Sequence, residues 1–250
     1  MADGRPIGVF DSGVGGIGTL AEMMRVLPQE RFLFYGDTAN APYGTKSREE
    51  CMACVQQVVD RLLSQDVKAI VIACNMATAV AAQELRARYE LPIIGIEPAL
   101  KPAHEMRRGG SILVLATPMT LRLEKFRALY ERYGEGAIPL PCPGLMELVE
   151  REAHEEARDY LARLFAPYTL DEVDAVVLGC THYVFLRPIL AELLPGRVKV
   201  LDGNAGTARQ LQRVLSERGL LSEGEGGVTL QTSGNEETVL PVMRRLLERA

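Results

Sequence analysis

Seven short apolar runs punctuate the chain: Ile7 to Phe10, Phe32 to Tyr35, Ala69 to Ala73, Ile93 to Ile96, Ile112 to Ala116, Ala175 to Gly179 and Val198 to Leu201. Each is rich in Val, Ile and Leu and lacks polar alternation, the pattern of a parallel strand buried on both faces. Parallel strands need long crossovers, and the segments between the runs have helical periodicity. Ser47-Arg48-Glu49-Glu50 is a capping box opening a helix to about Ser64, and Thr120 to Tyr133 and Leu145 to Leu164 read as further helices. The expected class is α/β, with parallel sheets joined by right-handed crossovers.

The chain also matches itself. Val67-Lys-Ala-Ile-Val-Ile-Ala-Cys74-Asn-Met lies on Val173-Asp-Ala-Val-Val-Leu-Gly-Cys180-Thr-His at an offset of 106 residues, and the same offset lays Ile7 to Phe10 on Leu113 to Ala116. An offset of 105 lays Ile93 to Ile96 on Val198 to Leu201. With 250 residues, 47% of them hydrophobic, the chain has the material for two small cores. The expectation is two pseudo-symmetric α/β domains: residues 98–206, and residues 1–97 joined by a returning tail, 207–250. That tail carries a strand at Val228 to Gln231 and a helix at Glu236 to Arg249.

A net charge of −5 with no basic run argues against nucleic acid as a partner. The start, Met1-Ala2-Asp3-Gly4-Arg5-Pro6, has no apolar core, and no uncharged apolar stretch approaches 18 residues; no membrane role is expected, and the expected compartment is the cytoplasm. Five cysteines, Cys51, Cys54, Cys74, Cys142 and Cys180, read as free thiols rather than a disulfide framework. Three widely separated histidines leave a dedicated zinc site short of ligands, so no metal is expected. His104 and His154 sit in polar helical surroundings and read as solvated.

Ligands of parallel sheets bind beyond the carboxyl ends of the strands. Those ends carry Asp11-Ser12, Asp37-Thr38, Cys74-Asn75, Thr117 and Cys180-Thr181-His182. If the two copies face one another, Cys74 and Cys180 approach one cleft from opposite sides. Two such thiols suit removal of a proton from one face of a carbon and its return to the other, which is racemisation or epimerisation. A two-base mechanism needs one thiol and one thiolate, so each cysteine needs a helper. His182 is placed to serve Cys180, and Asp11 and Asp37 to serve Cys74.

Two other patterns compete. Gly13-Val-Gly15-Gly-Ile-Gly18, with Asp37 ending the next strand, fits the spacing of a dinucleotide fingerprint and keeps a dinucleotide-dependent oxidoreductase open as an alternative. Against it, Asp11 would place a carboxylate near a pyrophosphate. Cys51-Met-Ala-Cys54 has redox spacing but lies inside a capped helix, where packing is the simpler role.

Several longer motifs carry a resemblance. Ile7-Gly-Val-Phe-Asp11-Ser12-Gly-Val-Gly-Gly, Phe34-Tyr-Gly-Asp37-Thr, Ala41-Pro-Tyr43-Gly44-Thr45-Lys-Ser, Ala73-Cys74-Asn75, Gly95-Ile-Glu-Pro98, Cys142-Pro-Gly-Leu-Met-Glu-Leu-Val-Glu150, Leu178-Gly-Cys180-Thr181-His182-Tyr and Thr232-Ser233-Gly234 occur in this order over nearly the whole chain. Together they resemble the glutamate branch of the cofactor-independent aspartate/glutamate racemase superfamily. The resemblance implies an isomerase that needs no cofactor and interconverts L- and D-glutamate, supplying D-glutamate for peptidoglycan and so for cell-wall biogenesis and cell shape. It implies Cys74 and Cys180 as the proton-transfer residues, Asp11, Glu150 and His182 as supporting acid-base groups, and Asp37 as a fourth. Implied substrate contacts are Asp11, Ser12, Tyr43, Gly44, Asn75, Thr181 and His182, with Thr45, Thr117 and Thr120 as further donors. Tyr43 and Thr120 have packing or capping as an alternative role.

The chain departs from the pattern at Met76, where the family usually has Thr, and at Asp202-Gly-Asn-Ala-Gly. A racemase of aspartate or another amino acid, and a non-catalytic amino-acid binder, remain as alternatives. The sequence leaves self-association as a homodimer open.

Overall fold

The computed structural model describes residues 3–250. In chain order the first elements are β1 (Ile7–Asp11), α1 (Ile17–Val26), β2 (Arg31–Gly36), α2 (Arg48–Leu63), β3 (Ala69–Ile72), α3 (Asn75–Arg88) and β4 (Ile93–Gly95). There follow α4 (Leu100–Met106), β5 (Ser111–Ala116), α5 (Pro118–Arg122), α6 (Glu124–Tyr133), β6 (Ala137–Pro141), α7 (Leu145–Glu150), α8 (His154–Phe165), β7 (Val173–Leu178), α9 (Arg187–Leu193) and β8 (Lys199–Asp202). The chain closes with α10 (Asn204–Glu217), β9 (Gly227–Thr232) and α11 (Glu236–Arg249). Two compact units result, Met1–Glu97 with Asn204–Ala250, and Pro98–Gly203. Residues 204–206 group with the first unit because Asn204 opens α10, and the Thr19 hydroxyl on α1 donates to Asn204 Oδ1 at 2.8 Å.

The first unit holds a five-stranded sheet in the order β4-β3-β1-β2-β9, and the second a four-stranded sheet in the order β6-β5-β7-β8. Every pairing is parallel. Read from β8, the second sheet runs β8-β7-β5-β6, which is the order β4-β3-β1-β2 of the first under the internal match. The repeat in the sequence is therefore a repeat of topology, with β9 added to the first copy alone.

The central strands are covered on both faces, as their unbroken apolar runs require. All five residues of β1 and all four of β3 are buried. In the second unit Leu113 and Leu115 of β5 pack with α8, α9 and Tyr183, while the intervening Ile112 and Val114 pack with α4 and Phe126 of α6. Side chains of one strand alternate between faces, so one run of four residues serves two cores.

Two helices read as continuous from periodicity are broken. Thr120 to Tyr133 divides at Leu123, whose backbone is extended between α5 and α6. Leu145 to Leu164 divides between Glu150 and His154, where Glu152 takes a left-handed φ of 53°. Few non-glycine residues adopt that conformation, and no helix continues through it. The capping box is present as read: Ser47 Oγ accepts from Glu50 N and Glu50 Oε2 from Ser47 N.

At the amino edge of the first sheet lies a buried ion pair. Lys68 Nζ is 2.6 Å from Glu30 Oε2, with both side chains almost fully buried, and also donates to the carbonyls of Asp3 and Leu220 at 2.6 and 2.7 Å. Glu30 Oε1 accepts from Ser222 N at 2.9 Å. An ammonium has three protons. All three are directed at protein oxygens, which offsets the cost of removing the charge from water.

Candidate active site

In the first unit the polar residues singled out from the sequence fall along the carboxyl edge of the sheet, in the spatial order of its strands. Cys74 follows β3, Asp11 ends β1 with Ser12 just after it, Asp37 follows β2 and Thr232 ends β9. Cys74 is the N-cap of α3, where its sulfur accepts from Ala77 N at 3.4 Å and its thiol donates to Ser12 Oγ at 3.5 Å. Burial, followed by the negative charge of Asp11, pushes the Cys74 thiol up to about 12, against the opposing pull of the Ala77 and Ser12 hydrogen bonds. At neutral pH this sulfur carries its proton.

Asp11 is fully buried, and its Oδ2 accepts from Gly13 N at 3.2 Å and Gly16 N at 3.1 Å. The glycine turn before α1 thus wraps the side chain of Asp11 and directs its N–H groups at that carboxylate. A Cβ on Gly16 would lie 2.7 Å from the Asp11 Cβ, so only glycine permits this approach. A dinucleotide cradle needs those N–H groups for a pyrophosphate. Here the chain's own anion occupies them, so the glycine spacing is explained without a nucleotide.

Asp37 is buried as well. It accepts from the Tyr43 hydroxyl at 2.6 Å and from Asn40 Nδ2 at 3.0 and 3.1 Å, so its oxygens are directed at the turn that follows rather than at Cys74. Burial and the Asp37 carboxylate hold the Tyr43 phenol far above its usual range, as a donor. Tyr43, Gly44 and Thr45 form a single 3-10 turn in which the Thr45 hydroxyl donates to Pro42 O. Asn75 opens α3 with Oδ1 buried and unpartnered among the described residues.

The second unit holds a linear arrangement of three groups. Cys180 follows β7 and precedes a 3-10 segment, Thr181–Leu186, that carries the buried His182. Cys180 Sγ lies 3.8 Å from His182 Nδ1, and His182 Nε2 lies 3.0 Å from Glu150 Oε1. The break after Glu150 is what makes this possible, because it leaves the carboxylate at the end of α7 instead of inside a longer helix. The hydrogen bond from His182 holds the Glu150 carboxyl below its usual range. A carboxylate at one ring nitrogen and a thiol at the other is the arrangement that lets an imidazole take a proton from sulfur. Thr181 is buried beside it; Thr117 caps α5, and its hydroxyl lies 2.9 Å from that of Thr120, whose N–H it accepts.

The remaining thiols differ. Cys51, within α2, is pushed up to about 11 and Cys142 to about 12, both chiefly by burial. His154 is exposed, but His104, read as solvated, is half-buried against the Tyr133 ring at 6.0 Å with Nδ1 buried and unpartnered. Among the described residues no group of three or more His, Cys, Asp or Glu side chains is placed to hold a metal ion, and no helix is long and apolar enough to cross a membrane. Sequence reading assigned no role to Thr38, Asn40, Ser233 or Gly234, which surround the Tyr43 turn.

Two repeated parallel α/β units, each with a cysteine just beyond the corresponding strand, define a class, and the sequence model of that class matches. The chain belongs to the Asp/Glu/hydantoin racemase family, whose model covers residues 17–211. Within that family it is similar to the glutamate racemase of Clostridium botulinum strain Hall, at 45% identity over 248 residues covering 97% of this chain and 96% of the relative. Among solved structures it is similar to a glutamate racemase of Bacillus anthracis, with a TM-score of 0.87 and 30% identity over 98% of this chain and 94% of that one. It is likewise similar to the Escherichia coli glutamate racemase in complex with L-glutamate and the activator UDP-MurNAc-ala, with a TM-score of 0.83 and 29% identity over 96% and 95%.

Proposed function

We propose that this protein is a glutamate racemase in which Cys74 and Cys180 exchange protons with opposite faces of the substrate Cα. The observation that carries the reading is the placement of one cysteine after the corresponding strand of each repeat, β3 and β7. The two thiols have different helpers. Cys180 can pass its proton to His182, whose imidazolium is balanced by Glu150. Cys74 is held in its protonated form by burial and by Asp11.

In one direction the Cys180 thiolate removes the α-proton, the electron pair of the C–H bond passes into the α-carboxylate, and Cys74 delivers its proton to the other face. The reverse direction exchanges the two roles. Asp11 supplies negative charge for the substrate ammonium. The Tyr43 turn, the α3 start with Asn75, and the Thr117, Thr120 and Thr181 hydroxyls supply donors for the two carboxylates. D-glutamate formed in this way serves peptidoglycan synthesis in the cytoplasm.

The test is incubation of L- and D-glutamate separately in D₂O with no added cofactor, following optical rotation and Cα deuteration. Racemisation with incorporation of one solvent deuteron is expected from both enantiomers. Retention of chirality with no exchange overturns the reading.

A further inference from the structure

The segment Thr232–Ser233–Gly234 closes β9, at the far edge of the first sheet, and has no part in the proton transfers. Its hydrogen bonds nevertheless converge on the turn that carries Tyr43. The Thr38 and Thr232 hydroxyls lie 2.7 Å apart, and Thr232 Oγ1 also donates to Gly36 O at 3.0 Å. A hydroxyl has one proton. Since that of Thr232 goes to Gly36, Thr38 is the donor between the two threonines, and Thr232 Oγ1 accepts from both Thr38 and Gly234 N. Ser233 Oγ accepts from Ala39 N at 3.0 Å, and Ser233 N donates back to Gly36 O at 3.1 Å. Gly234 comes so close that a Cβ there would lie 2.4 Å from Thr38 Oγ1.

These contacts fix residues 36–39 from one side. From the other, Asp37 holds Asn40 and the Tyr43 hydroxyl. The 3-10 turn Tyr43–Thr45, with Gly44 at its centre, is therefore fastened through residues 36–40 and by the buried Tyr43 ring, while Ala39, Ala41 and Thr45 around it are exposed and add little apolar burial. Without the bonds from 232–234 the connector would be left with its internal hydrogen bonds, the bond from Asp37 N to Asp11 O and the buried Tyr43 ring, and its exposed residues, which have few buried contacts, would open at low free-energy cost.

We infer that Thr232, Ser233 and Gly234 are positioning residues for the substrate-facing turn 43–45, acting through Thr38 and Ala39 and not through contact with substrate. The inference rests on the glutamate racemase reading. It predicts a change in binding without a change in chemistry, because a loosened turn costs substrate affinity while both thiols and their helpers stay in place.

The variants are Ser233→Ala, which removes the acceptor for Ala39 N–H, and Thr38→Val, which removes the donor to Thr232; Thr38→Ser keeps that donor. The readouts are steady-state racemisation of glutamate by circular dichroism, hydrogen exchange of a peptide spanning residues 38–45, and a melting curve. For Ser233→Ala and Thr38→Val, KM is expected to rise roughly 2- to 10-fold, the scale of one uncharged hydrogen bond, with kcat within twofold and faster exchange across 38–45. Thr38→Ser should restore KM. An unchanged KM overturns the inference even if exchange quickens, since the bonds would then be merely structural. A fall in kcat that tracks loss of folded protein overturns it as well. If the unaltered protein fails to racemise glutamate, the reading of the reaction has failed, an outcome distinct from active protein whose variants bind normally.

Discussion

Replacing Glu150 with Gln tests whether Cys180 works through its histidine. The variant keeps the size of the side chain and an oxygen able to face His182 Nε2, now 3.0 Å from a carboxylate oxygen, and removes only the charge. A charge-assisted hydrogen bond contributes about 1 kcal/mol more than a neutral one, and the Glu150 side chain is 38% exposed, so water screens part of that difference. The expected loss is roughly fivefold in kcat, incurred when His182 becomes an imidazolium. Because the enantiomers are mirror images, their equilibrium constant is one, and kcat/KM must fall equally in both directions. The isotope effect is free to differ. Raising the barrier at Cys180 makes that transfer more rate-limiting. The Cα-deuterium effect should therefore rise with the enantiomer whose proton goes to Cys180 and shrink with the one that gives its proton to Cys74. Circular dichroism with the two 2-deuterated glutamates reads both. An unchanged rate, or isotope effects that move together in both directions, would refute the assignment of Glu150 and His182 to Cys180 alone.

Cys74→Ser and Cys180→Ser should each lower racemisation by about 10²-fold or more, as loss of a general acid or base does; near-normal turnover by either sinks the two-thiol mechanism. Iodoacetamide should label Cys180, half-buried beside an imidazole, before Cys74, Cys51 and Cys142, which are buried and raised; peptide mapping that finds Cys51 first contradicts this. Lys68→Met leaves Glu30 buried without its cation and should destabilise the protein by about 3–5 kcal/mol, read as a Tm lower by roughly 10 °C, while adding Glu30→Gln should recover part of the loss. Met76→Thr, at the second residue of α3, adds a hydroxyl near the start of the helix and should lower KM for glutamate with little change in kcat; an unchanged KM in a variant of normal Tm places the substrate carboxylate elsewhere.

The strands and their repeat were legible because burial on both faces writes a continuous signal into neighbouring residues, and because Cys74 and Cys180 occupy the same place in both copies. Strand β6 was nearly hidden, since Ala137-Ile-Pro-Leu-Pro141 is broken by prolines that only an edge strand tolerates. The helix breaks at Leu123 and Glu152 escaped notice because apolar periodicity resumes after each. Least legible were the supports of the site. The Asp11 carboxylate satisfies its own glycine turn, a pattern that imitates a nucleotide motif in spacing alone. Thr38 and Thr232 meet across 194 positions of sequence, and nothing local in either residue announces the other.

The buried pair of Lys68 and Glu30 bears on how the chain assembles during synthesis. Its ligands Leu220 and Ser222, and the strand β9 that borders β2, follow the whole of the second unit in the chain. Domains tend to fold as their residues emerge, at about 5–20 residues per second. All four strands of the second sheet lie within Pro98–Gly203, so that unit has every partner it needs as soon as β8 is made. The first unit, begun earlier, must wait with a charged pair half-satisfied and one sheet edge open until residue 232 has been added. Completion therefore runs from the inside of the chain outwards, and the carboxyl edge of the first sheet, with Asp11, Asp37 and Cys74, reaches its final setting last.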